Sequence, residues 1–272
     1  MSISLKSLFE KMWDRYIITN PLAEDIYKVF QNIGESPVND HIALRTWNHP
    51  KVNLEKIASI FEALGYEAKG EYHFAEKKLR AKHYELTDHS SQQDILAPKI
   101  FISELLLEEF NQEVQEVING LLISVTDQMI NDPLLCTRGR LWDCSYETYM
   151  QLKKYSDYAA WVAAFGYVPN HFTISINHLT SFENIEELNQ MIKKHGFVMN
   201  QSGGEVKGSP EVLLEQSSTL ATVADVHFSD GVYQIPSTYY EFAKRYPTQD
   251  GKLYQGFITQ NANYIFESTS GS

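Results

Sequence analysis

Residues 39–47 alternate in character along Asn39-Asp40-His41-Ile42-Ala43-Leu44-Arg45-Thr46-Trp47, and this alternation predicts a β-strand. Successive side chains of a strand point to opposite faces of a sheet, so His41, Ala43 and Arg45 share one face. That face carries an imidazole and a guanidinium with only a methyl group between them. A metal ligand next to a carboxylate-binding group would suit a small acidic substrate. The same pattern would also arise from a solvated face of an edge strand.

A second strand of this kind opens the other half of the chain, at Asn170-His171-Phe172-Thr173-Ile174-Ser175-Ile176-Asn177. Each strand is followed by an amphipathic helix that begins after an asparagine, Asn53 or Asn184, and ends at a glycine, Gly65 or Gly196. The interval from histidine to asparagine is nearly the same in the two copies, and the interval from asparagine to glycine is identical. The sequence therefore predicts an internal repeat of β-α-β-β-β type. Two such modules side by side would roll their sheets around one cavity.

The repeat predicts the organisation of the whole chain as a single α+β domain over residues 1–272. We expect N-terminal helices in residues 1–38 and the first module in residues 39–105. A helical insert, residues 106–168, would then separate it from the second module, residues 169–246. Residues 247–272 would form a C-terminal segment.

Composition narrows the function classes. The 272 residues carry 23 basic and 35 acidic side chains, a formal charge of −12, which argues against a nucleic-acid partner. An acidic substrate would need a local basic group to overcome this field. No apolar run is long enough to cross a membrane, and the N-terminus lacks the features of a signal peptide. With only two cysteines, Cys136 and Cys144, these features predict a cytoplasmic protein with reduced thiols and no membrane partner.

The histidines of the two modules suggest a metal site. His41, His171 and Glu241 supply two imidazoles and one carboxylate, a set that holds ferrous iron with positions left open for substrate and dioxygen. The same set also accepts manganese, cobalt, nickel and zinc. The alternative for His171 is a core histidine hydrogen-bonded to its neighbours. Glu104, in the last strand of the first module, is expected to be a fourth ligand or an outer carboxylate that supports a ligand.

Two further segments are candidates for contact with a substrate. Ser217 lies in Gln216-Ser217-Ser218-Thr219, whose hydroxyl and amide groups could bind a carboxylate, although such a run is also common at polar strand ends. His227 lies on a plausible strand that could line the cavity, but a surface or structural role is favoured.

Four motifs carry a resemblance to the iron-dependent 2-oxoadipate dioxygenase/decarboxylases, also called 2-hydroxyglutarate synthases. They are His41-x-Ala43-Leu44-Arg45-Thr46, Phe101-Ile102-Ser103-Glu104-Leu105, Asn170-His171-Phe172-Thr173 and Tyr239-Tyr240-Glu241-Phe242. The resemblance covers roughly residues 5–268, including Gly256-Phe257 and the stretch at residues 266–269. It implies a vicinal-oxygen-chelate fold, a metal triad of His41, His171 and Glu241, and Arg45 as the group that binds the substrate carboxylate.

The resemblance also implies a reaction. An Fe2+ enzyme of this family would convert 2-oxoadipate, or a similar 2-oxo dicarboxylic acid, with O2 into 2-hydroxyglutarate and CO2, a step in lysine breakdown. Two alternatives share the fold: a glyoxalase-type lyase or isomerase that uses a metal without oxygen, and a non-catalytic binding protein without a metal. Oxygen consumption separates the first alternative, and metal content separates the second.

Overall fold

The computed structural model describes residues 3–87 and 96–261. The stretch at residues 266–269 therefore lies outside the described residues. In chain order the elements are α1 (Leu5–Thr19), α2 (Pro21–Asn32), β1 (Asn39–Trp47), α3 (Leu54–Glu62), β2 (Tyr66–Phe74), β3 (Leu79–Leu86), β4 (Lys99–Leu105), α4 (Gln112–Leu121), α5 (Asp127–Ile130), α6 (Tyr146–Lys153), α7 (Asp157–Phe165), β5 (His171–Ser175), α8 (Ile185–Lys194), β6 (Lys207–Ser209), β7 (Leu214–Ser218), β8 (Val223–Phe228), β9 (Gly231–Pro236) and β10 (Glu241–Arg245).

One eight-stranded sheet contains both predicted modules. Its strand order is β2-β3-β4-β1-β5-β10-β7-β6. The opening strand of each module pairs in parallel with its last strand, β1 with β4 and β5 with β10, while β1 and β5 run antiparallel at the centre. The predicted pair of β-α-β-β-β modules is confirmed. The second module also contains an additional hairpin, β8–β9, which forms a separate two-stranded sheet.

The helices predicted inside the two modules begin at the asparagines that were expected to cap them. The Asn53 side chain accepts a hydrogen bond from the Lys56 amide at 3.0 Å and begins α3, and the Asn184 side chain accepts one from Glu187 at 2.8 Å and begins α8. These side chains satisfy backbone donors that the first helical turn leaves without partners. Both helices then bury an apolar stripe against the sheet.

The other face of the sheet is covered at its two ends by different segments. At one end, α7 of the helical insert packs on β1, and the Tyr158 hydroxyl accepts a hydrogen bond from the Thr46 amide at 3.2 Å. At the other end, the chain after β10 returns across the first module and buries Phe257. The concave surface between these two covers therefore lies over β1, β5 and β10. Among the residues the structure describes, no helix is both long enough and apolar enough to cross a membrane.

Candidate metal centre

Three neighbouring strands bring His41, His171 and Glu241 together. Their side chains are buried, and one ligating atom from each lies within 4.8 Å of the other two. The two Nε2 atoms are 3.4 Å apart. Glu241 Oε1 lies 3.5 Å from His41 Nε2, and Glu241 Oε2 lies 3.2 Å from His171 Nε2. Residues that are far apart in the chain thus converge because β1, β5 and β10 are adjacent in the sheet.

The residue before each histidine fixes the orientation of its ring. His41 Nδ1 lies 2.8 Å from Asp40 Oδ1, and His171 Nδ1 lies 3.0 Å from Asn170 Oδ1. Carboxylate and amide oxygens only accept hydrogen bonds, so each Nδ1 is the donor, and in a neutral ring the lone pair then lies on Nε2. These roles of Asp40 and Asn170 were not predicted from the sequence. The feature that could have indicated them is an Asp or Asn immediately before each histidine.

Burial sets the charge state of the centre. It lowers the pKa of His171 well below the usual range, with smaller contributions from the charges of His41 and Arg45, so this ring is neutral. Burial also raises the pKa of Glu241, although His41 and Gln216 act in the opposite direction. Within the described residues, Glu241 Oε2 makes no hydrogen bond. A cation near this oxygen would compensate for its burial.

The three side chains fit a single metal ion. Nitrogen and oxygen ligands bind divalent ions at about 2.0–2.2 Å, which places two ligands at right angles about 3 Å apart. The observed separations of 3.2–3.5 Å are close to this value. The donor set of two neutral imidazoles and one carboxylate is the one that holds non-haem ferrous iron.

Glu104 lies on the opposite face of the sheet, which corrects its expected place near the metal. It pairs with Thr46 in β1, and its carboxylate accepts hydrogen bonds from the Leu54 amide at 2.8 Å and from Arg80 Nε at 2.9 Å. Glu104 therefore holds the start of α3. The module register instead aligns Phe101 with Glu241, because Phe101 pairs with Ala43, two positions after His41, and Glu241 pairs with Thr173, two positions after His171.

Ser217 also points away from the triad. Its hydroxyl donates a hydrogen bond to Asn189 Oδ1 in α8 at 2.7 Å. The neighbouring Gln216 faces the site instead and donates from Nε2 to Glu241 Oε1 at 2.7 Å. Alternation along β7 explains the difference, since adjacent residues of a strand face opposite sides. His227 is exposed on β8, outside the eight-stranded sheet.

Arg45 is buried on the same face of β1 as His41. The strand between them separates their Cα atoms by about 13 Å, so the two side chains serve different parts of one surface. The Arg45 guanidinium lies over the rings of Tyr158 at 5.0 Å and Trp161 at 5.1 Å, and burial lowers its pKa.

Tyr239 contacts both the triad and Arg45. Its ring stacks on that of His171 with centroids 4.7 Å apart, and its hydroxyl interacts with Arg45. A cavity of about 250 Å³ connects Arg45 with Lys77 and Lys78 nearer the surface.

The sequence of this chain is similar to those of proteins from one known family. The model of the family described as 2-oxoadipate dioxygenase/decarboxylase matches residues 8–252. The chain is 33% identical to the rice "2-oxoadipate dioxygenase/decarboxylase, chloroplastic/amyloplastic", covering 97% of this chain and 78% of that protein.

Several solved structures are similar to this chain. A protein from Shewanella frigidimarina described as a hydrolase is 50% identical, with a TM-score of 0.89 and coverage of 95% of this chain and 99% of that one. The rice hydroxyglutarate synthase in complex with 2-oxoadipate is 33% identical, with a TM-score of 0.90 and coverage of 97% and 91%. A glyoxalase superfamily protein from Ralstonia eutropha is 19% identical over 92% of this chain and 84% of that one, with a TM-score of 0.77. This last likeness shows the fold alone, and it confirms the predicted vicinal-oxygen-chelate architecture.

Proposed function

The chain belongs to the 2-oxoadipate dioxygenase/decarboxylase family, and from this premise we propose that it is an Fe2+ enzyme that converts 2-oxoadipate, or a close 2-oxo dicarboxylic acid, with O2 into 2-hydroxyglutarate and CO2. The equation balances, because the acid loses one carboxyl group as CO2 and both atoms of O2 enter the shortened product. The observation that carries the proposal is the buried convergence of His41, His171 and Glu241. The name of the rice structure, which holds 2-oxoadipate, supports the substrate class.

His41 and His171 would each present Nε2 to the ion, and Glu241 would present its carboxylate. When bound, ferrous iron supplies the activation of O2 and the oxidation of the 2-oxo acid. The side chains Asp40 and Asn170 keep the rings in the required tautomer. Burial excludes bulk water from the triad, which protects a reactive site from side reactions.

Arg45 would bind the carboxylate that is distant from the reacting carbon. A guanidinium can form two parallel hydrogen bonds with a carboxylate, which fixes both position and orientation. The cavity beside Arg45 is lined by three basic side chains, Arg45, Lys77 and Lys78, and by the acidic Glu76 and Asp157. It therefore carries a net positive charge in a chain whose formal charge is −12. This local charge favours entry of a dianion. The two buried free cysteines support our placing the enzyme in a reducing compartment, the cytoplasm, where it would act in lysine breakdown.

An oxygen electrode tests the proposal directly. We expect anaerobically purified protein loaded with Fe2+ to consume O2 and release CO2 in equal amounts with 2-oxoadipate. His171→Ala and Glu241→Ala should abolish both iron binding and oxygen uptake. His227→Ala is the matched control, because this exposed histidine lies outside the eight-stranded sheet, and it should behave like the wild type.

The alternatives predict different results from the same assay. Turnover of the substrate without oxygen would indicate a lyase, an isomerase or a hydrolase and contradict the proposal. Failure of the wild type to retain any divalent metal would indicate a binding protein and contradict it as well.

A further inference from the structure

The described residues after β10, 246–261, reach the metal centre from two sides; from here on, the C-terminal segment means these residues. Phe257 packs edge-on against His41, with ring centroids 4.9 Å apart and an interplanar angle of 88°. It also contacts Phe101 at 4.9 Å, the residue that occupies the first module's counterpart of the Glu241 position. The C-terminal segment thus forms the wall of the site on the side of the first module.

Arg245 connects this wall to His41. Its Nε and Nη2 atoms donate to the two carboxylate oxygens of Asp40 at 2.6 and 2.8 Å, and the Oδ1 atom of Asp40 also receives the Nδ1 hydrogen of His41. The remaining Nη1 donates to the carbonyls of Tyr254 at 3.0 Å and Gly256 at 2.8 Å. The buried guanidinium of Arg245 therefore binds both Asp40, which orients His41, and the backbone that leads to Phe257.

Asn261 makes the second connection, on the side of Glu241. Its Nδ2 lies 3.2 Å from Gln216 Oε1, and Gln216 Nε2 donates to Glu241 Oε1 at 2.7 Å. Because Asn261 donates to the oxygen of the Gln216 amide, the amide must turn its NH2 group toward Glu241. Asn261 is 4% exposed, so it is a buried part of the site.

The backbone is shaped to admit Asn261. Gly208 in β6 has φ +85°, and a Cβ atom there would lie 2.5 Å from Asn261 Nδ2 and 2.1 Å from the Leu214 carbonyl oxygen. A side chain at position 208 would therefore displace the asparagine. Asn261 Nδ2 also lies 3.3 Å from the Leu214 carbonyl, which keeps its amide in place.

We propose that Asn261 and Arg245 are positioning residues of the metal centre, so that the full ligand geometry forms only when the C-terminal segment is docked. The inference rests on the proposed metal at the triad. Asn261 acts through Gln216 on Glu241, and Arg245 acts through Asp40 on His41. Neither residue touches the ligating atoms themselves.

Titration with Co2+ alone, monitored by its visible absorption under anaerobic conditions, tests the Asn261 connection. We expect Asn261→Ala to weaken Co2+ binding about tenfold to a hundredfold, as is typical for groups that support a metal ligand. Asn261→Asp should weaken it further, because a carboxylate cannot donate to Gln216; the amide would rotate and point its oxygen at Glu241. The double variant Gln216→Ala/Asn261→Ala should bind no more weakly than Gln216→Ala alone, since both act on one path.

Gln255→Ala is the matched control. Gln255 belongs to the C-terminal segment, is exposed and bonds only the Leu253 carbonyl among the described residues, so this variant should bind Co2+ like the wild type. Wild-type affinity in both Asn261 variants would overturn the inference and leave the proposed function standing. Failure of the wild type to bind Co2+ would overturn both. Additive losses in the double variant would also overturn the inference, because they would mean that Asn261 acts independently of Gln216.

Discussion

At the scale of single residues, the centre depends on side chains that fix other side chains. Asp40 orients the His41 ring, and Asn170 orients the His171 ring. Gln216 donates a hydrogen bond to the Glu241 carboxylate. Burial would raise the pKa of Asp40, but the charge of Arg245 and the hydrogen bond from His41 keep this pKa well below its usual range. Asp40 is therefore ionised, and it accepts hydrogen bonds from Arg245 and His41 together.

Under the proposed function, Arg45 would bind the substrate without taking part in metal binding. Arg45→Ala should leave iron content unchanged and raise the KM for 2-oxoadipate. The free energy of substrate binding should weaken by about 2–5 kcal/mol, because the variant leaves a desolvated substrate carboxylate without its partner. Arg45→Lys keeps the charge but loses the planar contact, so we expect an intermediate defect. Steady-state kinetics with 2-oxoadipate and with a 2-oxo acid that lacks the second carboxylate would measure both effects. Equal losses on the two substrates would mean that Arg45 is structural.

For Glu104 we predict the opposite result, a loss of stability without a change in metal or substrate binding, because this residue supports the fold. Glu104→Gln should leave Co2+ affinity and KM unchanged while it lowers the free energy of unfolding by about 1–3 kcal/mol. The reason is that the buried carboxylate satisfies the Leu54 amide and pairs with Arg80. Urea unfolding alongside Co2+ titration would measure both quantities. A loss of metal affinity in the folded variant would contradict the assigned position.

At the scale of elements, sequence was sufficient for the repeat and insufficient for the strand register. The bounds of β1, the caps of α3 and α8, and the three residues of the triad follow from periodicity, capping chemistry and the resemblance. Glu104 and Ser217 were both assigned to the wrong face, because a shift of a single position in a strand moves a side chain to the other side of the sheet. Glu104 was expected near the metal because it lies in the last strand of the first module, but the strand pairing places Phe101, and not Glu104, at the position that corresponds to Glu241.

The hairpin β8–β9 explains why that register could not be read from spacing. It is inserted between β7 and β10, so the interval from His171 to Glu241 is longer than the interval from His41 to Phe101, the structural counterpart of Glu241. No local signal in the sequence distinguishes an inserted hairpin from strands of the main sheet. The contacts of the C-terminal segment were missed for a related reason, because Phe257 and Asn261 join partners that are distant in the chain.

At the scale of the whole molecule, two similar modules produce one asymmetric site. Each contributes a histidine from its first strand, but only the second contributes a carboxylate from its last strand. The first module has Phe101 at that position, and the C-terminal segment packs Phe257 against it. Three ligands rather than four would leave coordination positions open for substrate and O2. A hydrophobic wall on one side would direct both to the side of Arg45.

Labelling with 18O2 tests most directly whether the triad supports a decarboxylating dioxygenation. Fe2+-loaded protein would be incubated with 2-oxoadipate under 18O2, and the product and released CO2 analysed by mass spectrometry. We predict 2-hydroxyglutarate with two 18O atoms, one in the hydroxyl group and one in the carboxylate formed from the former keto carbon, together with unlabelled CO2. A product without 18O, formed at the same rate under nitrogen, would contradict it.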